Sequence, residues 1–175
     1  INYLISKNRF NEIKEITDDI DTLNNTLLVL QTKSWVDKKN FSNISELFSC
    51  KNEQDILSEF FFIIANIYSS QENFETSNLF LNIANFLNPK FRFNLSLIIE
   101  NNFSNNNYKE TKKLLDRFNK KDDIYFWYKI KKKTQIISQE KTDDEAIKFI
   151  KSKFTKINDP SIKILFDMGN IAKGY

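Results

Sequence analysis

Along this chain apolar residues return every third or fourth position rather than every second, which is the spacing of one face of an α-helix. Four polar–aromatic pairs mark the pattern: Arg9-Phe10, Asn40-Phe41, Asn73-Phe74 and Asn107-Tyr108, with the aromatics 31, 33 and 34 residues apart. Three and seven positions after each aromatic come Ile13 and Thr17, Ile44 and Phe48, Ser77 and Leu81, Thr111 and Leu115, one helical stripe each time. A second stripe precedes the later aromatics, as in Leu27, Leu28, Leu30 and Trp35, or Phe61, Ile64, Ala65 and Tyr68. The unit is therefore helix, short polar turn, helix. It predicts an all-α chain with helices over 9–20, 24–37, 41–50, 53–70, 73–87, 91–104, 107–119, 123–139, 143–156 and 160–175. No segment holds the alternation of a half-buried strand, and the connections lack glycine, which argues against a β fold. Asp159-Pro160 supplies an acidic N-cap with Pro at the first helical position, and Asp122 or Asp123 can cap the helix that follows.

A period near 34 with these residue types resembles the tetratricopeptide repeat. The unit from Ser58 to Phe91 matches best. Phe61, Ile64, Ala65 and Tyr68 stand at its fourth, seventh, eighth and eleventh positions, where the family favours a large residue, Leu, a small residue and Tyr. Phe74, Ser77, Leu81, Ala84 and Pro89 stand at its seventeenth, twentieth, twenty-fourth, twenty-seventh and thirty-second. The eighth and twentieth must be small because the paired helices approach closely there. Arg92 to Tyr125 keeps Leu95, Ile98, Tyr108 and Leu115 but departs at Ile99, Asn102, Thr111 and Phe118. Trp127 to about Asn158 keeps Ala146 and Ile150, and Met168-Gly169 resembles the seventh and eighth positions of a further unit.

The resemblance implies a right-handed α-solenoid of antiparallel helix pairs. It makes 1–175 one array, a fragment of a longer protein, with units near 1–24, 25–57, 58–91, 92–126 and 127–161 and a partial unit at 162–175. Ile83 to Tyr108, followed by Asp143-Asp144-Glu145-Ala146-Ile147, is also similar to long bacterial repeat proteins of the cell envelope, which implies that compartment over the cytoplasm.

In such repeats the first helix of each unit lines a concave face. The resemblance then places Glu59, Phe62, Asn66, Ser69 and Ser70 on that face, followed by Phe93, Ser96, Glu100, Phe103 and Ser104. Tyr128, Lys131, Gln135, Ser138 and Gln139 come next, and Lys33 and Asp37 are the polar members of the earlier unit. Phe62, Phe93 and Phe103 carry most information, because a large apolar side chain at an open position needs a reason. One reason is an aromatic anchor for a partner peptide or helix, and the other is contact with a neighbouring helix. The expected function is a non-enzymatic interaction module, with a structural spacer or a scaffold self-associating through its terminal repeats as the alternative.

Composition narrows the remaining chemistry. The 175 residues contain no His, one Cys and two Gly, both among the last seven. That removes the commonest general base, thiolate metal clusters and any phosphate-cradling loop. No catalytic residue, metal ligand or cofactor site is expected. The lone Cys50 follows Phe48 on an apolar stripe, so a buried structural thiol is expected. Net charge is only +3, but residues 1–100 carry 9 basic and 13 acidic side chains while residues 101–175 carry 17 and 10. Aromatics and lysines interleave over Tyr125-Phe126-Trp127-Tyr128-Lys129-Ile130-Lys131-Lys132-Lys133, as they do in single-stranded nucleic-acid grooves. On a helix, however, Phe126, Ile130 and Ile137 make the packed stripe and the lysines a solvated face, which disfavours nucleic acid. Asp18-Asp19-Asp21 and Asp143-Asp144-Glu145 sit at helix ends without the spacing of a calcium loop, so capping and solvation are expected there. The longest apolar run, Phe60 to Ala65, is far short of a membrane span.

Overall fold

The computed structural model describes residues 1–118 and 123–174, and these form eleven α-helices with no strand among them. In order they are α1 (Asn2–Ser6), α2 (Phe10–Asp18), α3 (Leu27–Asp37), α4 (Phe41–Leu47), α5 (Glu53–Ser70) and α6 (Phe74–Leu87). Then follow α7 (Arg92–Ser104), α8 (Tyr108–Leu115), α9 (Asp123–Glu140), α10 (Asp143–Phe154) and α11 (Ile162–Gly174). The expected helices are present. α1 was not foreseen, because five residues are too few to display a period. The helices expected over 41–50 and 107–119 stop at Leu47 and Leu115.

One turn recurs. Asn8, Lys39, Glu72 and Asn106 all take positive φ, between 54° and 60°, and each lies two residues before one of the repeating aromatics. The next residue's amide closes the helix end by bonding five residues back: Arg9 to Leu4, Asn40 to Trp35, Asn73 to Tyr68 and Asn107 to Asn102. Each left-handed residue's own amide bonds the carbonyl three residues back. This is the left-handed helix stop that satisfies orphan carbonyls and reverses the chain. The sequence period is therefore a period of identical turns joining α1 to α2, α3 to α4, α5 to α6 and α7 to α8.

The residue three places after each aromatic is buried in all four cases, as Ile13, Ile44, Ser77 and Thr111. Size at that position decides how the hairpin closes. Between α5 and α6, Ser77 donates its hydroxyl to the Ala65 carbonyl at 2.8 Å, and Ser58 donates to the Ala84 carbonyl at 2.8 Å. All four residues are essentially inaccessible, so the small eighth and twentieth positions do bring the two backbones together. Phe80 fills the side of this seam, stacked on Phe61 and Tyr68. In α1–α4 the large Ile13, Ile44 and Val36 instead form one cluster shared by the four short helices, with Ile1, Leu4, Ile5, Trp35 and Phe41 around it.

Contacts between helices divide the chain into two compact units, one of residues 1–20 and 27–111, the other of residues 21–26 and 112–175. The second unit is built on Trp127, Ile130 and Ile150, packed with Phe126, Phe149, Phe154, Ile164, Met168 and Ile171 from α9, α10 and α11. Thr142 caps α10 by accepting from the Glu145 amide, with Asp143, Asp144 and Glu145 in the first turn where carboxylates offset the helix dipole.

Three local expectations are corrected. Asp159 takes positive φ, which an N-cap with its extended backbone does not, and Ser161 accepts the Ile164 amide at the start of α11 instead. Cys50 is exposed, because α4 ends at Leu47, Phe48 is extended, and the apolar stripe that would have buried the thiol is lost. On α9 the lysines are not a free solvated face: Lys132 is buried, while Lys129 and Lys133 both pair with Asp116, at 3.1 and 2.8 Å. Of the two suggested caps for α9, Asp122 lies outside the described residues and Asp123 is the helix's first residue. Among the described residues, no helix is long and apolar enough to cross a membrane.

Candidate functional site

In the first unit α5 and α7 lie side by side, joined by a polar ladder. Asn101 of α7 donates to Ser77 and Asn78 of α6 at 2.8 and 2.9 Å and accepts from Ser69 of α5 at 2.6 Å. Asn94, two turns earlier on the same face of α7, reaches Ser58 at 3.5 Å, and its buried side-chain oxygen has no hydrogen-bond partner among the described residues. These amides fix the register of α7 against the α5–α6 hairpin. A buried amide that lost its partners would carry its full desolvation penalty, so sliding α7 along the hairpin is disfavoured.

That register decides what the candidate surface offers. Phe62 of α5 and Phe93 of α7 meet with ring centroids 5.2 Å apart, and both lean on the buried Phe91, at 5.9 and 6.2 Å. Phe103 packs on Tyr108 at the start of α8, 5.6 Å between centroids. All three rings are thus helix-to-helix contacts, yet each stays partly exposed. Glu59, Asn66 and Ser70 are exposed on α5 beside Phe62, with the Ser70 hydroxyl bonded to the Ile67 carbonyl. Glu100 is half-buried, whereas Ser96 is buried and donates to the Phe93 carbonyl at 2.7 Å, so it offers no open surface. The structure brings together the Phe62–Phe93 pair with Glu59 and Asn66 at its edge. Lys33 and Asp37, the polar candidates on α3, pair with each other at 3.4 Å and with Asp18 and Lys14 around them.

Tyr128, Lys131 and Gln135 belong to the second unit. Tyr128 packs edge-on against Phe118, itself stacked on Tyr125, and Gln135 is exposed. Lys131 is held by Asp167 at 3.0 Å. That carboxylate, nearly buried, also accepts the Trp127 indole N–H at 2.9 Å and pairs with Lys163 at 3.2 Å, and Lys163 in turn donates to the Leu23 carbonyl. Three donors converging on one buried acid lock α9 to α11 and to the 21–26 segment. Sequence reasoning missed this centre, since Asp167 stands alone in its stretch and only the fold delivers its partners. Lys133 and Lys129 hold the Asp116 carboxyl below its ordinary range, the hydrogen bond from Lys133 being the larger cause.

Among the described residues, no group of three acidic, Cys or His side chains is placed to hold a metal ion. Compared with known proteins, the chain matches no family model, no curated protein and no solved structure.

Proposed function

We propose that this chain is a non-enzymatic protein-interaction module, whose helix pairs stack in the right-handed manner of tetratricopeptide repeats and present their first helices to a partner peptide or helix. The observation that carries this reading is the partly exposed Phe62–Phe93 pair, bridging α5 and α7 and edged by the exposed Glu59 and Asn66. Amphipathic aromatic patches of this kind supply anchoring area, and the polar edge supplies orientation. A photo-crosslinking residue at Asn66 tests it against one at Asn82, which is exposed on the outer side of α6. The expected result is a discrete protein adduct from position 66 that disappears in Phe62→Ser. Equal adducts from both positions, or none from position 66, would overturn the reading.

A structural scaffold is the second reading, favoured by α11. Ile162, Leu165 and Phe166 are exposed on that helix, and a Cβ at Gly169 would meet nothing within 4 Å, so this small position faces open space where another helix could approach. Sedimentation velocity over a concentration series distinguishes it: association that Leu165→Asp abolishes supports the scaffold, and a monomer throughout removes it.

A further inference from the structure

α5 is apolar on two sides. One side carries Ser58 and Ala65 into the α6 seam and Phe62 toward α7. On the opposite side Ile56, Phe60, Ile63 and Ile67 are 47, 55, 53 and 53% exposed. Their spacing of four, three and four residues is a continuous seam about three turns long, the spacing with which one helix receives another. Leu57 beside it is 47% exposed, and large apolar side chains exposed together in this way mark interaction sites. Its apolar residues are distinct from the Phe62–Phe93 face, with Glu59 between the two: at about 100° per residue, the seam and Phe62 are more than a quarter-turn apart.

Charge selects what can lie on it. Residues 52–89, spanning α5, its turn and α6, contain Glu53, Asp55, Glu59, Glu72 and Glu75 and not one Lys or Arg. On the helical wheel Glu53 and Glu59 flank the seam on opposite sides, and both are exposed. A second copy docked seam to seam would set one such all-acidic hairpin against another with no counter-charge, which the like-charge penalty disfavours. The chain's own preceding helices do not supply the cover in the structure either, since the four seam side chains stay exposed while Ile13, Val36 and Ile44 pack in a cluster of their own.

We infer that the Ile56–Phe60–Ile63–Ile67 seam is a docking site for an amphipathic helix of a partner protein that carries lysine or arginine on both flanks of its apolar stripe. The partner's apolar residues fill the seam, and its cations meet Glu53 and Glu59. This surface goes beyond the interaction face proposed above, and either can fail without the other.

The experiment uses the full chain and two synthetic helical probes about four turns long. Both have leucine at the seam spacing; one has lysine on the flanks and the other glutamate. Fluorescence anisotropy is expected to give the lysine probe a Kd on the order of 10 µM and the glutamate probe at least about tenfold weaker binding. Phe60→Ser with Ile63→Ser, both at exposed positions, is expected to weaken the lysine probe about tenfold or more while helix content holds and Phe62→Ser leaves it unchanged. Glu53→Lys with Glu59→Lys is expected to reverse the preference between probes, a result that mere loss of folding does not produce. Equal affinity for both probes, no binding of the lysine probe up to about 1 mM, or unchanged binding in the seam variant would overturn the proposal. So would a stable self-association that Phe60→Ser and Ile63→Ser dissolve, which would assign the seam to a second copy.

Discussion

The hairpin α5–α6 and the helices α1–α4 use the same turn and close in different ways. In both, a left-handed residue stops the first helix and the following amide bonds five residues back, so the chain reverses identically at Glu72 and at Asn8 and Lys39. What differs is the residue three places beyond the aromatic. Ser77 is small and lets α6 lie against Ala65 backbone-close, whereas Ile13 and Ile44 hold their helices off and meet Val36 in a common cluster. A shared turn fixes direction; side-chain volume at one position decides whether a hairpin becomes a tight pair with one face left free or part of a closed group. The first outcome leaves α5 with an uncovered seam, and this is why both proposed surfaces lie on that helix.

The sharpest break of this comparison is to empty the cluster. Ile13→Ala removes a fully buried side chain from the centre of α1–α4 and is expected to cost about 3 kcal/mol, read from urea unfolding. If the two regions close by different means, the seam binding of α5 survives at denaturant concentrations where α1–α4 have loosened. Overfilling the tight pair is the converse. Ala65→Leu forces volume between α5 and α6 and is expected to cost about 2 kcal/mol and break the Ser77 bond. A negligible cost in either variant would mean that volume at these positions does not set the packing.

Much of this was legible in the sequence, for a physical reason: helix period, turn spacing and the need for small residues at Ala65 and Ser77 are all local or repeat with the chain. The partnership of Phe62 with Phe93 was not, because it depends on the register between hairpins, set by Asn101 and Asn94, which look like ordinary surface amides. Nor was the Asp167 centre, whose donors come from α9 and the start of α11. The burial expected for Cys50 failed where one extended residue, Phe48, interrupted the stripe. The α5 seam was present as a spacing, yet only exposure distinguishes an uncovered stripe from a core one.

A smaller effect tests the shared half of the comparison. Lys39 and Glu72 hold positive φ with a Cβ, which is unfavourable for residues other than Gly and, to a lesser degree, Asn. Glu72→Gly and Lys39→Gly are each expected to stabilise by about 0.5–1 kcal/mol, and by similar amounts, since the turn is the same. A gain at one position and a loss at the other would show that the turns are not equivalent.

The smallest effect separates the two regions by charge. In α1–α4, Asp18 is held below its ordinary range, first by the hydrogen bond from Lys14 and then by the charges of Lys14 and Lys33. A carboxyl depressed in the folded state contributes stability that is complete above its unfolded value and is lost as the pH falls through the folded one, so this contribution disappears below about pH 4. Because the pair is exposed, the effect is slight and salt weakens it further. Asp18→Asn is expected to lower stability slightly near pH 7 and not at all in acid, which flattens the acid limb of the stability curve by that small amount. The α5–α6 hairpin has no internal cation to pair with in this way, so a basic helix docked on its seam is expected to bring a salt sensitivity that the region lacks alone: probe binding should weaken with added salt, an effect that Glu53→Gln with Glu59→Gln removes and Asp18→Asn leaves unchanged.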